Sequence, residues 1–190
     1  MADIDIAGVL DSNVHNLLHN PFFRNLFGLD FNNHECPTLN QDDFVNSFKN
    51  RKNALCFGMN LQSINAKFDE LKNFIDFFSL NSIYLPVLAV QELWEINVED
   101  FQIDGYNFVA NVRTGSQGGG AGLYLEKNLN FERIVLKNEF LQHIFESVTC
   151  IVEFKNKKKI IVSSLYRPNR HLTLSKAQQS EKFNEIFAVI

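Results

Sequence analysis

The run Val87–Trp94, Val-Leu-Ala-Val-Gln-Glu-Leu-Trp, narrows the choice of folds more than any other stretch of the chain. Four apolar residues follow one another without alternation, as in a strand covered on both faces. Pro86 stands at its head, where a missing N–H costs a strand least. The apolar run then stops, and Glu92 sits where strand gives way to loop. A strand buried on both faces implies a layered α/β protein. At the rim of its sheet, rigid strands aim side chains at solvent, and chemistry collects there. A carboxylate in that place suits a hard, oxygen-seeking cation. Taken alone, a strand-end Glu is more often a solvated loop residue or an arginine partner.

The same design occurs upstream. Ala54–Asn60 reads as a first core strand that ends on a polar residue, Asn60. Between the two strands, Phe68, Leu71, Ile75 and Phe78 recur at helical spacing among charged and amide residues, which predicts an amphipathic helix over Asn65–Leu80 capped by Ser63 or Asn65. The unit is β–α–β. If its strands are parallel, Asn60 and Glu92 leave the sheet at one rim. Further strands are predicted at Tyr106–Val112, Ala121–Glu126, Phe131–Leu136 and Phe145–Phe154. Gly118, Gly119 and Gly120 fall between two of them. No Lys-Ser or Lys-Thr follows and no helix opens there, so a hairpin turn fits better than a phosphate-cradling loop.

The basic run Lys155–Lys159 turns the chain into Ile160–Tyr166, a third apolar strand with a polar end, here Tyr166, Arg167, Pro168 and Asn169. Tyr166 and Asn169 offer hydrogen bonds, and Arg167 a planar cation that suits phosphate. A helix to about Ile190 closes the sequence. Thr173 or Ser175 is placed to cap it, and Ser175 with Gln178 has capping-box spacing.

Composition decides two questions. A net charge of −4, from 18 basic and 22 acidic residues, is not that of a protein that wraps nucleic acid by bulk charge, so any polyanion contact must be local and metal-assisted. Three dispersed cysteines, Cys36, Cys56 and Cys150, fit buried thiols in a reducing compartment, cytoplasm or nucleus, better than a disulfide frame. No apolar run is long enough to span a bilayer, and no basic leader precedes an apolar one. Residues 1–53 are rich in Asn, Asp and Phe and read as a leader of short helices or partial disorder, set apart from a domain over 54–190. Its pairs His15/His19 and His34/Cys36 offer zinc ligands, but neither completes a ligand motif.

Taken together, the strand ends resemble the endonuclease/exonuclease/phosphatase superfamily, the DNase I-like fold. Met59–Asn60 matches its first motif, Gln91–Glu92 its second, and Tyr166-Arg167-Pro168-Asn169 its Tyr-x-Pro-Asn. The resemblance is strongest to the endonuclease domain of non-LTR retrotransposons. That branch shares Asn-x-x-Ser-Ile-x-x-Lys-x-x-Glu-Leu, here Asn60–Leu71, and Glu-x-Trp, here Glu92–Trp94. It also shares Gly105–Tyr106, and Arg113 with Gly118–Gly120. The resemblance runs from about Ala54 to Asn169. It implies Mg2+ (or Mn2+) held by Glu92, a scissile phosphate positioned by Asn60, and hydrogen bonds to the site from Tyr166 and Asn169. It further implies substrate contacts from Arg113 and Arg167, and hydrolysis of a DNA phosphodiester backbone. No protein partner is implied.

Two of the family's motifs have no counterpart. The 190 residues contain no Gly-Asp-x-Asn, whose Asp activates water, and no Ser-Asp-His. His171 has no Asp beside it. The expectation is therefore an incomplete DNase I-like two-sheet α/β sandwich. It would comprise the front half, a mixed sheet with flanking helices, from a truncated or interrupted copy that is inactive alone. The competing readings are a phosphatase or lipid phosphodiesterase of the same fold, and a non-catalytic nucleic-acid-binding or interaction remnant.

Overall fold

The structure is a computed structural model that describes residues 41–49, 55–113, 118–135, 140–141, 144–168 and 174–187. The chain divides into two compact units, Met1–Phe48 and Lys49–Ile190. In the first, helix α1 (Gln41–Phe48) brings Phe44 and Phe48, one turn apart, to a ring separation of 4.8 Å. The sequence reading singled out no helix there. The short helices expected around Asp11 and Phe22, and the His and Cys pairs, lie outside the described residues.

The second unit carries β1 (Cys56–Asn60), α2 (Ile64–Leu80), β2 (Val87–Gln91) and a 3-10 turn (Val98–Phe101). Strands β3 (Tyr106–Asn111), β4 (Ala121–Glu126), β5 (Asn130–Ile134) and β6 (Phe140–Leu141) follow. Then come β7 (Phe145–Glu153), β8 (Lys159–Tyr166) and α3 (Lys176–Phe187). The strands form two four-stranded sheets. In sheet A the order is β1-β2-β4-β3, with β1 and β2 parallel and Asn60 level with Gln91. In sheet B, β7 is central. It pairs antiparallel with β5 and β6 on one edge and with β8 on the other. The expected two-sheet α/β architecture is the one observed.

Each layer follows from its pattern. Side chains alternate across sheet A. Val87, Ala89, Ala121, Leu123 and Leu125 point toward Val148, Cys150 and Val152 of β7 and form the inter-sheet core. The opposite face of sheet A meets α2, which buries Ile64, Leu71, Ile75 and Phe78. The rings of Phe74 and Phe78 lie 5.1 Å and 6.0 Å from that of Phe57 in β1. Burying one such side chain contributes about 1.5–3 kcal/mol. Phe68, expected on the same face, is half-buried against Phe101 at 5.1 Å.

The start of α2 departs from expectation. Ser63 occupies the cap position, but its side chain makes no capping bond. Its φ of 111° turns the backbone so that the Ser63 N–H reaches the Glu92 carbonyl at 2.9 Å. The cap position serves the tie between loops instead. The capping box at α3 forms as expected: Gln178 N–H donates to Ser175 Oγ, and Ser175 N–H to Gln178 Oε1. Two lysines of the β7–β8 turn, Lys157 and Lys159, pair with Glu153. Among the described residues no helix is long and apolar enough to cross a membrane.

Candidate active site

Because β1 and β2 are parallel and in register at Asn60 and Gln91, both strands release the chain at one corner of sheet A. There the backbone repeatedly enters left-handed space. Gln62, Ser63, Glu92 and Trp94 have φ of 53°, 111°, 55° and 68°, and they are four of the six described non-glycine residues with positive φ. Each such residue costs on the order of 1–3 kcal/mol, so the corner holds its shape only because its surroundings fix it. The fixing groups are peptide hydrogen bonds between three loops. Leu61 N–H donates to Gln91 O at 3.0 Å, Glu92 N–H to Gly120 O at 2.9 Å, and Trp94 N–H to Gly119 O at 2.8 Å. Gly118, Gly119 and Gly120 have φ of 80°, 76° and 88°, which only glycine adopts without strain. They close the β3–β4 hairpin, as expected, and lend their carbonyls to the corner.

Three expected side chains meet here. Asn60 Nδ2 donates to Glu92 Oε1 at 2.8 Å, and Asn60 Oδ1 accepts the Gln62 N–H at 3.0 Å. Tyr166 enters from sheet B and comes close enough to Glu92 to feel its carboxylate. Burial first, then the charge of Glu92, push its phenol up to about 12, so it is a neutral donor at ordinary pH. What delivers Tyr166 is Ser164, two residues earlier and fully buried. Its Oγ donates to the Val90 carbonyl at 2.9 Å and accepts from Gln91 Nε2 at 3.1 Å, stitching β8 to the end of β2.

The other expected residues are placed differently. Arg113 is 4% exposed and ion-paired through Nε with Glu146, which is 0% exposed. Arg167 donates through Nη2 to Ser180 Oγ of α3 at 2.8 Å. Asn169 lies outside the described residues. The sequence reading missed Glu146 and Ser164. A signal existed for the first, since Glu146 is the one charged residue in the interior of β7 and must find a partner when buried. Ser164 gave none, a serine in a strand being unremarkable until its cross-sheet partners are known.

The donor set bears on a metal. Glu92 is a half-buried carboxylate at an accessible rim, flanked by neutral amide and phenol groups. Among the described residues no group of three or more His, Cys, Asp or Glu side chains could form a protein cage. These residues therefore fit a cation that keeps most of its water and takes one carboxylate plus a substrate phosphate, as Mg2+ does, and not structural zinc.

No protein-family model matches the sequence, and no curated protein does either. Solved structures do show backbone similarity. A crystal structure of D. rerio TDP2, humanized by 14 mutations, matches at a TM-score of 0.45 and 19% identity, over 70% of this chain and 52% of that one. The AP endonuclease LMAP from Leishmania major matches at a TM-score of 0.48 and 17% identity, over 69% of this chain and 46% of that one. The match thus spans about half the length of either structure.

Proposed function

We propose that Lys49–Ile190 is a DNase I-like phosphodiesterase domain of the endonuclease branch similar to non-LTR retrotransposons, acting inside the cell on a DNA backbone. The observation that carries this reading is the meeting of Asn60, Glu92 and Tyr166, from three strands of two sheets, at one corner. Glu92 holds Mg2+ (or Mn2+), which when bound supplies positive charge against a phosphodiester and its leaving oxygen. Asn60 fixes the orientation of the Glu92 carboxylate and offers its amide edge to phosphate. Tyr166, kept neutral, donates a hydrogen bond to a non-bridging oxygen. Asn169 adds an orienting contact. Arg167, held by α3, gives at most a peripheral phosphate contact.

None of these groups is a general base, and Gly-Asp-x-Asn and Ser-Asp-His do not occur in the 190 residues. These residues therefore bind DNA backbone in a Mg2+-dependent way and do not cut it unaided. The test is a duplex-binding and plasmid-nicking assay with Mg2+ or a chelator. Expected are tighter binding with Mg2+, loss of that gain in Glu92→Ala, and no nicking. Binding indifferent to Mg2+ would overturn the reading. Mg2+-dependent nicking that Glu92→Ala abolishes would overturn the claim of inactivity.

A further inference from the structure

Among the described residues, the buried pair Arg113–Glu146 is a strongly polar cluster near the corner that the proposed chemistry does not use. Both Glu146 oxygens are committed. Oε1 takes the Arg113 Nε–H, and Oε2 accepts the Gly120 N–H at 2.5 Å. The peptides on either side of Gly120 lead to the site. Gly120 O accepts the Glu92 N–H at 2.9 Å, and Gly119 O accepts the Trp94 N–H at 2.8 Å. The turn is also seated on the pair, since a Cβ at Gly119 would run into Arg113 Nε and Cζ and Glu146 Oε2. A continuous path thus runs from a buried carboxylate, through the residue Gly120 and its two flanking peptides, to the backbone of the residue proposed to hold metal.

We infer that Glu146, with Arg113 as its counter-ion, is a positioning residue that sets the backbone of Glu92 through Gly120. This rests on the reading of Glu92 as the metal-holding residue. Stability does not explain the charges, because apolar residues of similar volume commonly replace a buried pair at no loss. What apolar residues cannot supply is an acceptor for the Gly120 N–H. Without it the three left-handed glycines lose their anchor, and Glu92, itself at φ 55°, loses the carbonyl that fixes it.

Variants of the 190-residue chain separate the two roles, read by Mn2+ titration and by amide hydrogen exchange. R113M/E146L removes charge and acceptor together, while R113M/E146Q removes the charges and keeps a carbonyl for Gly120. The expected result is Mn2+ affinity lowered by about 10–100-fold in R113M/E146L, faster exchange of the Glu92 and Trp94 amides, and near wild-type values for both in R113M/E146Q. Unchanged affinity and amide protection in R113M/E146L would overturn the inference. Should that variant not fold, Glu146→Asp decides. It keeps Arg113 paired but withdraws the acceptor by one methylene, and undiminished protection of Glu92 would then count against positioning. If wild type and Glu92→Gln bind Mn2+ alike, the metal reading fails, and the exchange rates still decide the positioning role.

Discussion

Single residues at this corner are defined by what holds them more than by what they are. Asn60 is an ordinary strand-end amide until its Nδ2 meets Glu92, and Glu92 an ordinary strand-end acid until Gly120 fixes its backbone. The tyrosines show the same dependence. All four in the chain, Tyr84, Tyr106, Tyr124 and Tyr166, have phenols raised above the ordinary value, Tyr106 and Tyr166 to about 12. Burial is the largest cause in each, with Glu126 adding at Tyr84 and Tyr106, and Glu92 at Tyr166. The sign is fixed by proton counting. Above about pH 10 the unfolded chain loses phenol protons that the folded chain retains, so stability is fully present below that pH and is lost as pH rises toward 12. Phenolate absorbance should therefore appear at higher pH in the native protein than in denaturant. Coincident titration curves would contradict this.

At the scale of elements, β2 and α2 were the most legible because each carries an undiluted signal. The unalternating run Val87–Val90 became β2, and the heptad-like spacing of Leu71, Ile75 and Phe78 became the buried face of α2. Strand ends were less legible. Predicted β1 began at Ala54 and observed β1 begins at Cys56, while β3 stops at Asn111 in place of Val112. Propensity does not encode where pairing stops; the neighbouring strand does. Cross-sheet ties were illegible altogether. Ser164 lies 74 residues from Val90 in sequence, and only packing of β8 over β2 makes it a fastener. Ser164→Ala should cost about 1–3 kcal/mol, since it leaves the buried Val90 carbonyl and Gln91 amide short of a partner. Chemical denaturation measures this. A loss below a few tenths of a kcal/mol would show that β8 is held by its apolar contacts alone.

At the scale of the unit Lys49–Ile190, the placement of sheet B determines which part of sheet A stays open. Sheet B packs over β2, β3 and β4, so the residues of β1 on that side, Cys56, Gly58 and Asn60, are exposed. The end of β1 is thereby accessible to a large substrate, while Tyr166 is still delivered from β8. The candidate site was legible as a set of residue types and a condition on topology, that β1 and β2 run parallel. Its supports were less so, because Gly120 acts through peptide groups that carry no side-chain signature, and Glu146 signals only the need for a partner and not which partner.

The convergence of Asn60, Glu92 and Tyr166 on a metal-holding corner is decided by titrating Mn2+ into the wild-type chain and into Glu92→Gln, which preserves shape and removes charge. One Mn2+ bound by the wild type, with affinity at least about tenfold weaker in Glu92→Gln, is the predicted result. Equal binding by the two proteins, or none by either, would contradict it.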